Sequence, residues 1–481
     1  MVLNEPSYMS RFKDSNPVPR GGLAQPPVGV LPPPKPLANP SAKISAPERA
    51  NIPAGRRPGP ADAFRAPAFD NPLRKLGLYL AIAFIFCRFS LFGELVSSTL
   101  NFDPHVARIL GIPVFVLAVV TGGLGRVLRS RLTYGWLGLV LLMILSAPLS
   151  FWPGGSFSLI LNYVRGQLPM LLIVGGLVLT WKECKMVLAT LALACALNVL
   201  SGKIFTVSPD SESRLSLELA TIGNANDFTA HLLFVLPFVI LILITNRRWI
   251  WKIACVGVVG YGVYFCAATG SRGGLVAFAA AFAFVLVRAP GRVRVGALAA
   301  TAVMALMVLV VLPQNLRQRY ATLFTNETPD TEAIESTAAR THLLRESIRF
   351  TLQHPILGVG PGEFSDYEAS VAKNQGRKGA WQVTHNAYTQ VSSEAGIPAL
   401  LCYLAAIVMS FRTFRKIYKV ARSHPNLQSM ATACFCCQLS IVGFCTATIF
   451  LSLAYTMYLP TMSGLALAMS RSLHRELAQQ S

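Results

Sequence analysis

The sequence predicts an all-α polytopic membrane protein with about 12 transmembrane helices and a long helical loop before the tenth. Three observations carry this. Only 14% of the 481 residues are charged against 53% hydrophobic, with a mean hydropathy of +0.49; a soluble domain carries nearer a quarter charged residues. Apolar stretches of roughly 20 residues, long enough to cross a hydrocarbon core as helices, recur along the chain. The net charge of +21 gathers in alternate short loops between those stretches, a distribution that argues against nucleic acid as its partner.

Residues 1–70 are rich in proline, including Pro32-Pro33-Pro34, carry scattered Lys and Arg, and lack apolar periodicity. Such a segment buries too little surface to offset its ordering entropy, so a disordered basic cytoplasmic tail is expected. It reads as a solvated tail, with docking to an SH3-like partner or to anionic lipid as the alternative. The first apolar stretch begins near Leu76, too far along for a signal peptide.

Within residues 71–312 nine spans are expected, at 76–97, 105–124, 133–152, 158–180, 185–200, 227–245, 250–268, 272–288 and 295–312. Three more follow within 386–470, at 386–410, 428–450 and 453–470, and residues 471–481 form a short cytoplasmic tail. With the N-terminus inside, the short inside loops hold sixteen Lys and Arg, whereas the short outside connections hold only Lys203, Arg214 and Arg272. That asymmetry follows the positive-inside rule. Nine of the ten cysteines fall in apolar stretches and no CxxC pair occurs, which favours packing roles over zinc or disulfides.

The outer segment 313–385 is exempt from the charge rule by its length, and too long to be a mere connector. Between Thr331 and Gln353, Ile334, Ala338, Thr341, Leu344, Ile348 and Leu352 recur at three- and four-residue spacing. That spacing predicts an amphipathic helix lying on or near the outer membrane surface. Pro355 stops it, and Gly358-Val359-Gly360-Pro361-Gly362 forms a turn.

Several cationic residues then stand out. Arg88 and Arg165 lie within spans, where a charge usually faces a cavity or partner. Arg88 reads equally as facing a cavity or partner and as merely pairing with Glu94 or snorkelling; Arg165, without an acidic neighbour in its span, reads as facing a polar cavity or a ligand phosphate. Arg272 opens the eighth span within Thr269-Gly270-Ser271-Arg272-Gly273-Gly274. A guanidinium matches phosphate oxygens, adjacent glycines admit a bulky head group, and a helix N-terminus adds positive potential. An interfacial anchor is the plainer alternative. Arg340 lies on the amphipathic helix and alone would be a solvated charge. His385, in Thr384-His385-Asn386-Ala387-Tyr388, precedes the tenth span. An imidazole there suits a general base, although a lone histidine is more often structural. Glu394 follows at a helical spacing that does not place it beside His385. Histidines at metal-binding spacing and a Walker loop are both absent, and Glu363, Asp366 and Glu368 carry no spacing that demands a cation. No metal and no cofactor are expected.

In order along the chain come Arg214 with Ile222-Gly223-Asn224-Ala225-Asn226-Asp227, then Thr269-Gly270-Ser271-Arg272-Gly273, then Arg340. His354-Pro355-Ile356-Leu357-Gly358-Val359-Gly360-Pro361-Gly362 follows, and last His385-Asn386-Ala387-Tyr388 with Glu394-Ala395-Gly396. This ensemble, across roughly residues 205–470, resembles the O-antigen ligase and polymerase superfamily of bacterial polysaccharide assembly. The resemblance implies a metal-independent, inverting glycosyltransferase in the inner membrane. Its donor would be a glycan on undecaprenyl pyrophosphate, presented at the periplasmic face. Its acceptor would be another lipid-linked repeat for a polymerase, or a lipid A-core sugar for a ligase. The family's proposed catalytic histidine corresponds to His385, its two essential arginines to Arg272 and Arg340, and a further basic position to Arg214. Membrane lipid and other polysaccharide assembly proteins are the implied partners. Polymerisation of exopolysaccharide or O-antigen repeats is the preferred expectation and ligation the alternative. A secondary transporter with Arg88 and Arg165 as its substrate site is the competitor from another class.

Overall fold

The computed structural model describes residues 70–100, 102–103, 105–205, 224–312, 314–321 and 331–479. The expectations for the tail at 1–69 and for Arg214 lie outside the described residues.

The described residues form helices joined by turns and loops, without a strand. The first half runs α1 (Pro72–Phe89), α2 (Phe92–Leu100), α3 (Val106–Val120), α4 (Gly123–Leu128), α5 (Arg131–Ser146), α6 (Pro153–Gly166), α7 (Pro169–Leu177) and α8 (Trp181–Phe205). Then follow α9 (Ala225–Thr245), α10 (Trp249–Ala268), α11 (Arg272–Arg288), α12 (Gly291–Val311) and α13 (Gln314–Ala321). The loop contributes α14 (Thr331–Gln353) and α15 (Phe364–Asn374), and α16 (Ala387–Arg422), α17 (Gln428–Ala447) and α18 (Tyr458–Ala478) close the chain.

Helix occupies each expected span. Among the described residues seven helical stretches are long and apolar enough to cross a membrane, and an eighth if α1 and α2, bent by 62° at their junction, count together. The fold is thus an all-α polytopic membrane protein in which α3 is short, at 15 residues with Pro113 inside it. Helix α18 continues through Ala478, into the segment expected as a tail.

Local sequence explains where the helices start. Asn71 Oδ1 accepts from Leu73 N at 2.9 Å with Pro72 in the first turn, Asn224 Oδ1 from Asn226 N at 2.9 Å, and Asn386 Oδ1 from Tyr388 N at 2.9 Å. Each satisfies amide groups that the first helical turn leaves without partners. All ten cysteines are free thiols.

Helix α16 is broken at Gly396, whose φ of 88° lies where only glycine sits comfortably. Residues 355–362 lie along the break as a strap. Val359 N donates to Ser393 O at 2.8 Å, Gly360 N to Glu394 O at 2.9 Å, and Ile397 N to Pro355 O at 2.8 Å. The freed backbone groups are thereby satisfied within the protein, as a membrane-embedded helix requires. The buried carboxylate of Glu394 accepts from Gly362 N at 2.9 Å, so this residue serves the strap and not His385.

Helix α14 buries a different face from the one its sequence pattern picks out. Leu343 and Phe350 pack with Val359 and Phe364 in a small core of their own, and Ser347 is buried beside them. Leu344, Ile348 and Leu352 of the apolar stripe are exposed at 38%, 46% and 71%. The strap and α15 supply the packing partner that the linear pattern could not reveal.

Candidate functional site

The N-terminus of α11, the middle of α14 and the residues before α16 meet at one end of the bundle. Ser271 caps α11, its Oγ accepting from Gly274 N at 3.1 Å, and this sets Arg272 at the first helical position. Thr229 and Thr269 link α9 to this turn through their hydroxyls at 2.8 Å. A side chain at Gly274 would come within 2.4 Å of the Thr229 methyl, and one at Gly273 within 2.9 Å of the Phe450 ring. The glycines therefore allow close packing of protein on protein.

His385 adopts φ 51°, an uncommon backbone for a non-glycine residue, immediately before the Asn386 cap. The buried Thr384 next to it bonds the Ser452 hydroxyl at 3.0 Å, which ties this turn to the segment leading into α18. Arg340, half-buried on α14, lies within electrostatic reach. Arg272 Nη2 donates to Thr337 Oγ1 at 2.9 Å, one turn before Arg340 on the same helix.

These groups share a cavity. Arg272, Thr337, Arg340, Thr384, His385 and Phe450 are among the residues lining a space of about 340 Å³. A narrow cleft bounded by Asn226, Ser271 and Arg340 adjoins it. Across the first turn of α11, Gly274 borders both that cleft and a separate apolar cavity of about 470 Å³ lined by Leu275, Phe278, Phe282 and Met304. Burial, and then the Arg340 guanidinium, hold the His385 imidazole below the ordinary histidine value. The ring is therefore neutral, and able to accept a proton, at neutral pH.

The three residues expected to be catalytic thus come together from positions up to 113 apart. Arg88 and Arg165 do not join them. Arg88 lines a different cavity of about 360 Å³ with Glu94, Asp103, His105 and Arg108, and donates to Gln167 Oε1 at 3.0 Å. Arg165 is exposed on α6 and donates to Asn162. Thr337, Thr384 and Phe450 were not singled out from the sequence. Thr337 was within reach of such reasoning, being three residues before Arg340 on one helix face; Phe450 carries no signal of its own.

Glu363, Asp366 and Glu368 serve separate contacts. Glu368 accepts from Ala380 N at 2.8 Å, while Glu363 is buried against Gly155. Burial, with a smaller contribution from Asp366, pushes the Glu363 carboxyl up to about 7. Among the described residues no three His, Cys, Asp or Glu side chains converge.

Residues 258–404, which include Arg272, Arg340, the strap and His385, match the family model described as O-antigen ligase. The match supports the O-antigen ligase and polymerase superfamily, and with it surface-polysaccharide assembly in a membrane by a glycosyltransferase-like ligase or polymerase. At family level that implies lipid-linked glycan and acceptor as substrates. No curated protein matches the chain significantly.

Proposed function

We propose that the chain transfers a glycan from undecaprenyl pyrophosphate to an acceptor sugar, the next lipid-linked repeat, at the periplasmic face of the bacterial inner membrane. The observation that carries this is the single cavity shared by Arg272, Arg340 and His385. The two guanidinium groups bind the pyrophosphate and offset the charge that grows as it departs, without a metal. The acceptor hydroxyl attacks the anomeric carbon from the face opposite the pyrophosphate. The anomeric C–O bond breaks, its electron pair leaves on the phosphate oxygen, and configuration inverts. The neutral His385 imidazole takes the hydroxyl proton.

The neighbouring apolar cavity supports a donor with a hydrocarbon tail. The concentration of Lys and Arg in the loops at the other end supports cytoplasmic termini and a periplasmic site. Arg214 in the preceding loop is a further candidate for donor binding; Arg88 and Arg165 would contact substrate only outside this cavity.

The test is reaction of purified protein with lipid-linked repeat units, with and without lipid A-core. Products longer by whole repeats identify a polymerase, and glycan moved onto core identifies a ligase. Unchanged glycan assembly by His385→Ala would sink the proposal.

A further inference from the structure

A second concentration of guanidinium groups lies at the opposite end of the bundle. The segment around Leu451 and Ser452 belongs to the His385 end. From Tyr458 to Arg471 along α18 is about 20 Å at 1.5 Å per residue. There α7 ends, and its last carbonyls have no partners within the helix. Arg74 Nη1 donates to Leu177 O at 2.8 Å, and Arg126 Nε to Gly176 O at 2.9 Å. Arg471 Nη2 donates to Gly175 O and, at 3.2 Å, to Val178 O.

The charges there do not balance. Glu183 Oε1 pairs with Arg74 at 2.9 Å, while Oε2 accepts from Leu179 N and Thr180 N at 2.7 and 3.1 Å. That carboxylate answers Arg74. Arg126 and Arg471 lie close enough to repel each other, and neither has a carboxylate partner among the described residues. A helix C-terminus supplies roughly half a negative charge, against two positive ones. Both guanidinium groups also keep a donor in hand. Arg126 Nη2 and Arg471 Nε are buried and bond no acceptor among the described residues. Beside Arg126 on α4, Leu124 and Leu128 are exposed at 43% and 36%. Surplus guanidinium charge next to exposed aliphatic surface matches a phosphate group that carries hydrocarbon chains.

We infer that Arg126 and Arg471 form a phosphate-binding site for the head group of an anionic phospholipid, at the end of the bundle remote from His385. The phosphate supplies the missing charge from the accessible side of these two half-buried guanidinium groups, while the acyl chains lie over Leu124 and Leu128.

The full chain, purified in neutral detergent, is titrated with phosphatidylglycerol, phosphatidylcholine or inorganic phosphate. Bound lipid is read by native mass spectrometry and the thermal midpoint is recorded. Phosphatidylglycerol is expected to bind preferentially and raise the midpoint of the wild type. Arg126→Gln with Arg471→Gln should weaken that binding about tenfold or more while glycan transfer persists. Equal binding of phosphatidylcholine to the wild type overturns the inference without recourse to any variant. Stabilisation by inorganic phosphate as large as by the lipid overturns the lipid reading and leaves a free-anion site. Should the double variant fail to fold, Leu124→Ser with Leu128→Ser replaces it; unchanged lipid affinity there also overturns the inference.

Discussion

Arginines gather at both ends of the bundle, and the two gatherings are built on different terms. Near His385, Arg272 and Arg340 line a cavity of about 340 Å³. At the other end Arg74, Arg126 and Arg471 each donate to a carbonyl of the α7 terminus, and Glu183 stands beside Arg74. In the first case guanidinium groups border a space large enough for a ligand. In the second they chiefly complete the backbone of a broken span, with two donors left over. Residue type does not separate these roles. What separates them is whether the guanidinium faces a cavity or a carbonyl.

The sharpest way to break the comparison is at the cavity's base. His385→Ala should lower glycan transfer by roughly 10²–10⁴-fold, read as extension of lipid-linked repeats by the purified protein, with an unaltered thermal midpoint. Arg272→Lys and Arg340→Lys keep the charge but lose the planar fork. Each should cost about 10²-fold in turnover, and equal activity of the lysine forms would remove the pyrophosphate role. A pH profile sharpens the same end. Because burial and Arg340 lower the His385 value, the base stays neutral below the ordinary histidine pKa of 6.5. Activity should therefore persist below that pH and then fall by about tenfold per unit as the ring is protonated; Arg340→Gln should shift that limb upward.

Thr337→Ala removes the hydroxyl that accepts from Arg272, a bond worth about 1 kcal/mol net, so a loss of roughly fivefold is expected. At the far end, Arg126→Gln should leave transfer unchanged and lower only stability. A loss of turnover there, with folding intact, would erase the distinction between the two arginine sets.

Much of this was legible in the sequence, for physical reasons that differ by residue. Apolar run lengths and the charge of short loops respond to the bilayer itself, so the polytopic helical fold could be read directly. Arg272 and His385 sit beside local signals, a serine cap and an asparagine cap, that mark helix starts whatever the tertiary fold. The face of α14 was not legible. Its burial is decided by the strap and α15, which bring Val359 and Phe364 onto Leu343 and Phe350. Nor could the pattern foresee that Gly273 and Gly274 answer to Phe450 and Thr229, residues far away in the chain. The 62° bend between α1 and α2, inside the stretch expected as the first span, left no mark on hydropathy.

The strap has a consequence for biogenesis. Ser146 Oγ donates to Leu357 O across 211 residues of chain, and Phe151 N to Val359 O at 2.9 Å. Contacts so distant in sequence bear a large loop-closure entropy and form late. Yet the break at Gly396 needs these same residues to occupy its vacated hydrogen bonds. The helix following His385 can therefore reach its final shape only after the preceding loop has folded back onto it. Folding of the loop and maturation of the helix that carries His385 become one event.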